Sequence, residues 1–193
     1  MNIPNLINPV QILAGCIEVY DNIIDNSQEL INIAEEQQQW KDAGIFTTPD
    51  DSSVEVNKNI RSNSILEINQ FSYSVHPKFY DMCKTVWYYC DQYASKYNVA
   101  FYSTEPAQIL KYSSGEFYDL HHDASPSIPR VMSALLYLND VEKGGETEFI
   151  NFDIKIKPKA NRLIIFPSNY AYQHAARPPK NGYKYVVAFW MRG

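Results

Sequence analysis

Apolar positions along the 193-residue chain fall into two regimes. Between residues 23 and 40, Ile24, Leu30, Ile31, Ile33 and Ala34 recur at helical spacing among Glu and Gln, which predicts an amphipathic helix capped near Asp25 or Asn26 and closed onto the core by Trp40. Residues 43–59 lose that period and carry Gly44, Thr47, Thr48, Pro49, Asp50 and Asp51, so they read as a long polar loop, a candidate lid. Residues 62–69 fit a strand, and Ser74 and Pro77 open a second helix that runs through Trp87 to about Tyr97.

Beyond residue 100 the period shortens to that of strands. Runs rich in β-branched and aromatic residues, separated by turn signals, predict strands at 107–112, 118–122, 131–137, 147–149, 153–156, 162–166, 172–175 and 184–191. Eight short strands after two helices predict an α+β, mainly β fold: a double-sheet jelly roll whose core, about 101–193, is buttressed by a helical N-terminal part, about 1–100. The length suits one domain spanning 1–193.

Composition narrows the function. Hydrophobic residues are 45% and charged residues 20%, the balance of a globular domain rather than a disordered chain. A net charge of -5 supplies no Lys/Arg excess for neutralising phosphates, so nucleic acid is not an expected partner. No window approaches the apolar length of a bilayer span, and residues 1–17 lack the basic flank of a secretory segment. A cytoplasmic protein with no membrane partner is therefore expected. Cys83 and Cys90 lie about 10 Å apart if helical, too far for a disulfide, which agrees with a reducing compartment.

The first chemical signal is His121-His122-Asp123. On an extended strand His121 and Asp123 project from one face and His122 from the other, so the first and third residues can hold two neighbouring positions of a metal. A third ligand has to come from elsewhere, and the remaining histidines are His76 and His174. Two imidazoles and one carboxylate leave three positions of an octahedron open, the arrangement of non-haem Fe(II) oxygenases. The plainer alternative is a histidine satisfied by a neighbouring carboxylate.

The second signal is Gly182-Tyr183-Lys184 at the start of the last apolar strand. Lys184 is either a solvated strand end or the partner of the distal carboxylate of a dicarboxylic cosubstrate. Gly144-Gly145 fits a tight turn that sets Thr147 facing inward, and Arg177-Pro178-Pro179 is a stiff connection.

From about residue 107 to 191 the chain resembles the Fe(II)- and 2-oxoglutarate-dependent dioxygenases of the prolyl 4-hydroxylase-like group. The motifs that carry the resemblance are the run from Tyr112 through Gly115 and Tyr118 to His121-His-Asp123, the run from Arg130 through Tyr137 to Gly144-Gly145-Glu146-Thr147, and His174 followed by Gly182-x-Lys184 and Trp190. The resemblance implies that His121, Asp123 and His174 are the iron ligands and catalytic centre. It also implies that Lys184, Tyr112 and Thr147 hold 2-oxoglutarate, and that Tyr118, Arg130 and Trp190 lie at the substrate. The implied cofactors are Fe(II), 2-oxoglutarate and O2, with ascorbate as a further candidate. The implied reaction hydroxylates an aliphatic carbon, first of all of a peptidyl-proline, with release of succinate and CO2.

Two alternatives stand beside it: the same chemistry on a free amino acid or small metabolite, and a metal-binding jelly-roll module that only binds a ligand. Lys184, where repair-type demethylases use arginine, and the acidic charge argue against nucleic acid demethylation; Asp123 argues against halogenation. Arg177-Pro178-Pro179 departs from the group's usual Pro-Val, which puts a peptidyl-proline rim in doubt. The chain does not name its substrate or its oligomeric state.

Overall fold

The computed structural model describes residues 8–46 and 53–193. Its elements are β1 (Gln11–Leu13), β2 (Ile17–Tyr20), α1 (Ser27–Glu35), β3 (Lys41–Asp42), β4 (Ile45–Phe46), β5 (Val54–Glu55), β6 (Ser64–Ile68), α2 (Gln70–Val75), α3 (Pro77–Tyr97) and β7 (Ser103–Thr104). They continue as β8 (Ala107–Ser113), β9 (Tyr118–His121), β10 (Arg130–Tyr137), β11 (Thr147–Phe149), β12 (Ile154–Ile156), β13 (Arg162–Pro167), β14 (His174–Ala176) and β15 (Tyr183–Arg192).

Two sheets face each other. The larger runs β1-β2-β13-β10-β15-β8-β6-β3, with β7 paired to β15, and the smaller runs β12-β11-β14-β9. The chain crosses between them repeatedly, since β8, β10, β13 and β15 lie in the larger sheet and β9, β11, β12 and β14 in the smaller. This is the jelly roll that eight strands predicted, with each observed at its expected place.

The period-2 alternation of the long strands builds two cores. On β15, Tyr185, Val187, Phe189 and Met191 join Ile109, Met132, Ala134, Leu136, Leu163 and Ile165 on the outer face, where helices cover them. Lys184, Val186, Ala188 and Trp190 face the other way, into the space between the sheets. The covering helix α3 buries Phe79, Met82, Cys83, Val86, Cys90, Tyr93 and Ala94, one stripe at helical spacing. Pro77 opens α3, and Asn98, left-handed at φ 52°, ends it.

Three N-terminal expectations are corrected. The first helix is shorter than 23–40, ending at Glu35, although Trp40 does close onto it by donating its indole N–H to the Ala34 carbonyl at 2.9 Å. The first hundred residues hold more than two helices and the strand expected at 62–69, which is observed as β6: β1, β2 and β3 also belong to the larger sheet, which these four strands extend on both flanks. β2 has only four residues and holds a charged one, Glu18, so it does not form the run of β-branched and aromatic residues that marks the later strands. Its Glu18 is fully buried and accepts hydrogen bonds from Tyr20, Lys96 and Tyr97, tying β2 to the end of α3. The loop expected at 43–59 holds the β4–β5 pair in its described part; residues 47–52, where a lid was expected, lie outside the described residues. Among the described residues, no helix is long and apolar enough to cross a membrane, and Cys16, Cys83 and Cys90 form no disulfide.

Candidate active site

Between the sheets lies a cavity of about 740 Å³, with Lys184 and Thr147 on its wall together with His121, Asp123 and His174. β9 and β14 are paired with His121 opposite His174, which brings the two imidazoles to a centroid distance of 4.3 Å. His121 Nδ1 lies 2.8 Å from the Asp119 carbonyl and His174 Nδ1 lies 3.1 Å from the Tyr172 carbonyl. A carbonyl only accepts, so each Nδ1 carries a proton, which directs each Nε2 toward the cluster as the nitrogen available to a metal. Both Nε2 atoms face Asp123, at 3.7 Å from Oδ1 for His121 and 3.8 Å from Oδ2 for His174. One ligand atom from each residue lies within 4.8 Å of the others.

Strand alternation accounts for only part of this convergence. β9 ends at His121, and Asp123 lies beyond it, positioned by its N–H donating to the Ser168 carbonyl at 3.1 Å and by the Ser133 hydroxyl donating to Oδ2 at 2.6 Å. His122 is exposed and outside the cluster, and His76 sits at the N-terminus of α3, beside Gln37. Burial and the nearby His174 push the His121 imidazole down to about 3, against the pull of Asp123, so the ring is neutral at ordinary pH. Burial also pushes the Asp123 carboxyl up, but the two imidazoles, Arg130 and the Ser133 hydroxyl outweigh it and hold the group ionised. Two imidazoles, each with its Nδ1 held by a backbone carbonyl, and a carboxylate fit a divalent iron and leave coordination positions open.

Lys184 lies deeper. It is 1% exposed, opposite Tyr112 in the β8–β15 pairing, with Nζ 5.1 Å from the Tyr112 ring centre and 5.6 Å from that of Tyr137. Among the described residues no carboxylate reaches ion-pair distance of its ammonium. Burial pushes its pKa down to about 7, with the charge of Glu146 opposing. An ammonium buried without a counter-ion costs several kcal/mol, and a carboxylate entering the cavity removes that cost. Thr147 is buried beside it and accepts a hydrogen bond from the Tyr137 hydroxyl at 2.7 Å. Thr147 owes its inward position to Gly144 and Gly145, both left-handed at φ 74° and 77°. A Cβ on Gly144 would lie 2.2 Å from the Pro178 carbonyl oxygen, so that turn tolerates no side chain where the Pro178-Pro179 connection crosses it.

The mouth is aromatic and cationic. Tyr118 stacks on His121 at 3.6 Å between ring centres. Trp190 lines the cavity, and Arg130 lies 4.2 Å over its ring. The Arg130 guanidinium is already engaged: Nε donates to Glu105 Oε1 at 2.9 Å, a second nitrogen to Oε2, and Nη1 to the Asp123 carbonyl at 3.3 Å. It is therefore held in an ion pair at the cavity wall rather than left open to the mouth.

Sequence reasoning missed Arg61, whose guanidinium lies 4.5 Å from the Tyr118 ring centre and donates to the Gly44 carbonyl and to Asn63. No spacing linked it to His121. It also missed Ser133, whose parity with Leu135 and Tyr137 on the strand at 130–137 was the available signal.

Residues 107–192 match the model of the 2OG-Fe(II) oxygenase superfamily. Among curated relatives, Prolyl 4-hydroxylase 13 of Arabidopsis thaliana is 32% identical over 117 residues, covering 46% of this chain and 43% of the relative. The chain spans 60% of a relative from Acanthamoeba polyphaga mimivirus, at 29% identity over 155 residues, or 70% of its own length. Among solved structures, a viral collagen prolyl hydroxylase from Paramecium Bursaria Chlorella virus-1, in its 2OG complex, superposes with a TM-score of 0.68 at 21% identity, covering 93% of this chain and 97% of that one. A Trichoplax adhaerens prolyl hydroxylase, in complex with a hypoxia inducible factor oxygen degradation domain peptide fragment, superposes with a TM-score of 0.70 at 19% identity, covering 93% and 84%. Residues 107–192 thus match a 2OG-Fe(II) oxygenase domain, the chain is similar in sequence to prolyl 4-hydroxylases, and it shares its fold with the solved prolyl hydroxylases.

Proposed function

We propose that the protein hydroxylates a prolyl residue of a peptide or protein, using Fe(II), 2-oxoglutarate and O2. The observation that carries this reading is the opening of the His121–Asp123–His174 cluster and the uncompensated ammonium of Lys184 onto one cavity. The peptidyl-proline substrate is supported by the prolyl hydroxylases among the relatives and by the peptide bound to the Trichoplax neighbour.

Iron and 2-oxoglutarate, when bound, supply the oxidation of an aliphatic C–H by O2, with succinate and CO2 as the other products. The chain's own residues bind and orient. His121 Nε2, His174 Nε2 and an Asp123 oxygen hold the metal. Lys184 donates a charge-assisted hydrogen bond to the distal carboxylate of the cosubstrate, and its desolvated site makes that bond stronger than one in water. Tyr112 and Thr147 flank that carboxylate. Toward the mouth, Tyr118, stacked on His121, and Trp190, with Arg130 over one face of its ring, are the aromatic groups against which a pyrrolidine ring would rest. Arg130, clamped by Glu105, fixes the Trp190 face, and Arg61 does the same for Tyr118.

The test is incubation with Fe(II), 2-oxoglutarate and O2 against proline-containing peptides and free amino acids. One added oxygen atom on a peptidyl-proline, matched by one succinate, is the expected result. Modification of a free amino acid alone overturns the peptide substrate. Absence of succinate in every mixture overturns the enzyme reading.

A further inference from the structure

We propose that Ser133 and Ser168 are positioning residues that hold Asp123 as a one-oxygen ligand, so that its second carboxylate oxygen does not close the open side of the metal centre. The inference rests on the reading of His121, Asp123 and His174 as the metal ligands. It concerns a part of the site that neither the motifs nor the cavity wall reveal.

Ser133, on β10, is fully buried, and Ser168, just past β13, is 1% exposed. Their hydroxyl oxygens are 2.7 Å apart, and that of Ser133 lies 2.6 Å from Asp123 Oδ2. Proton accounting fixes the direction of this chain. An ionised carboxylate has no proton to give, so the single hydroxyl proton of Ser133 lies on the bond to Oδ2. The proton between the two serines therefore belongs to Ser168, and the order is Ser168 to Ser133 to Asp123.

The main chain of Ser168 acts on the same ligand. Its carbonyl accepts from the N–H groups of Asp123 at 3.1 Å and Ala124 at 3.0 Å, while its own N–H donates to the Val131 carbonyl at 3.2 Å. Asp123 stands outside β9, without ladder pairing of its own, so these contacts from β10 and the end of β13 set where its carboxylate points. A carboxylate left without them is able to turn and bind a metal through both oxygens, taking one of the positions that the chemistry needs open. Both oxygens face the cluster, Oδ2 at 3.8 Å from His174 Nε2 and Oδ1 at 3.7 Å from His121 Nε2, and the Ser133 proton on Oδ2 leaves Oδ1 as the oxygen freer to bind the metal.

The experiment is titration of the metal-free protein with cobalt(II) chloride, reading affinity and the visible absorption of the bound ion, whose band shape follows coordination number. Wild type is expected to bind one cobalt ion. Ser133→Ala is expected to weaken binding by about 10- to 100-fold and to change the spectrum. Ser168→Ala is expected to weaken it by about 2- to 10-fold in the same spectral direction, as the second link of the chain. Ser133→Thr, which restores the hydroxyl, is expected to return the wild-type band shape. A folded Ser133→Ala protein with wild-type affinity and spectrum overturns the proposal and reduces the serines to packing. If Ser133→Ala does not fold, Ser168→Ala decides, and an unaltered spectrum there overturns it equally. A wild-type protein that binds no cobalt overturns the metal site itself, a different failure that the control separates from this one.

Discussion

The two faces of the larger sheet are made by the same strands and have opposite chemistry. On the outer face, Leu136, Ile165, Val187 and Phe189 pack against Phe79, Val86 and Cys90 of α3, and the contact is dry and apolar. On the inner face, one residue along in each strand, Ser133, Tyr137, Lys184 and Trp190 alternate with small or aliphatic neighbours around a cavity. The outer face gains its stability by burying apolar surface. The inner face gives some of that up, because a buried ammonium without a counter-ion at ion-pair distance costs free energy. The difference marks the inner face as the one shaped by a ligand, and it predicts that mutations one residue apart affect different measurements.

The largest effect expected from breaking this contrast is at Lys184. Lys184→Ala removes the partner of a buried carboxylate, a loss of about 3–5 kcal/mol, so the Kd for 2-oxoglutarate rises by roughly a hundredfold or more in a calorimetric titration. Lys184→Met, of similar volume and without charge, loses the same affinity yet melts at a higher temperature than the ligand-free wild type. A lower melting temperature for that variant would mean that the ammonium has a counter-ion the comparison denies it.

On the other face, Leu136→Ala leaves a void in the helix-covered core and is expected to cost about 2–5 kcal/mol in denaturant unfolding. Cosubstrate affinity, measured well below the new midpoint, stays at the wild-type value. Were affinity and stability to fall together, the two faces would be coupled through the sheet rather than independent.

A third expectation sharpens the account of the inner face by pH. With burial holding Lys184 near 7 in the ligand-free protein, the ammonium is complete below that value and lost above it. Binding of a dianion selects the protonated form, so the Kd for 2-oxoglutarate climbs by up to tenfold per pH unit above about 7, a cost of about 1.4 kcal/mol per unit. Lys184→Arg keeps its charge throughout and flattens the slope. A wild-type affinity independent of pH between 7 and 9 would refute the assignment of Lys184 as the anion partner.

The smallest effect concerns the polar lining. Tyr137→Phe removes the hydrogen bond to Thr147 and is expected to lower stability by about 0.5–1.5 kcal/mol, while the Kd for cobalt is unchanged. An altered cobalt affinity would extend the metal's surroundings further into the cavity than the geometry places them.

Much of this molecule is determined by the chain's own order of residues. Runs of β-branched and aromatic residues between turn signals marked the eight jelly-roll strands, because such residues suit a pleated, buried surface. His121, Asp123, His174 and Lys184 stood out because their residue types and spacing suit one chemistry. Tertiary structure decided the rest. β2 is only four residues long and carries a charged residue, Glu18, which is tolerated because Tyr20 beside it and Lys96 and Tyr97 from the distant end of α3 donate to it. Arg130 could be read from sequence either as a substrate grip or as an ion-paired side chain, and only the fold brings Glu105 to it. Arg61 reaches Tyr118 across 57 residues of sequence, and Ser168 reaches Asp123 across 45, contacts that no local pattern encodes. Local periodicity reports which face of an element is apolar. Which polar groups meet on the other face is settled only when the sheets close on each other.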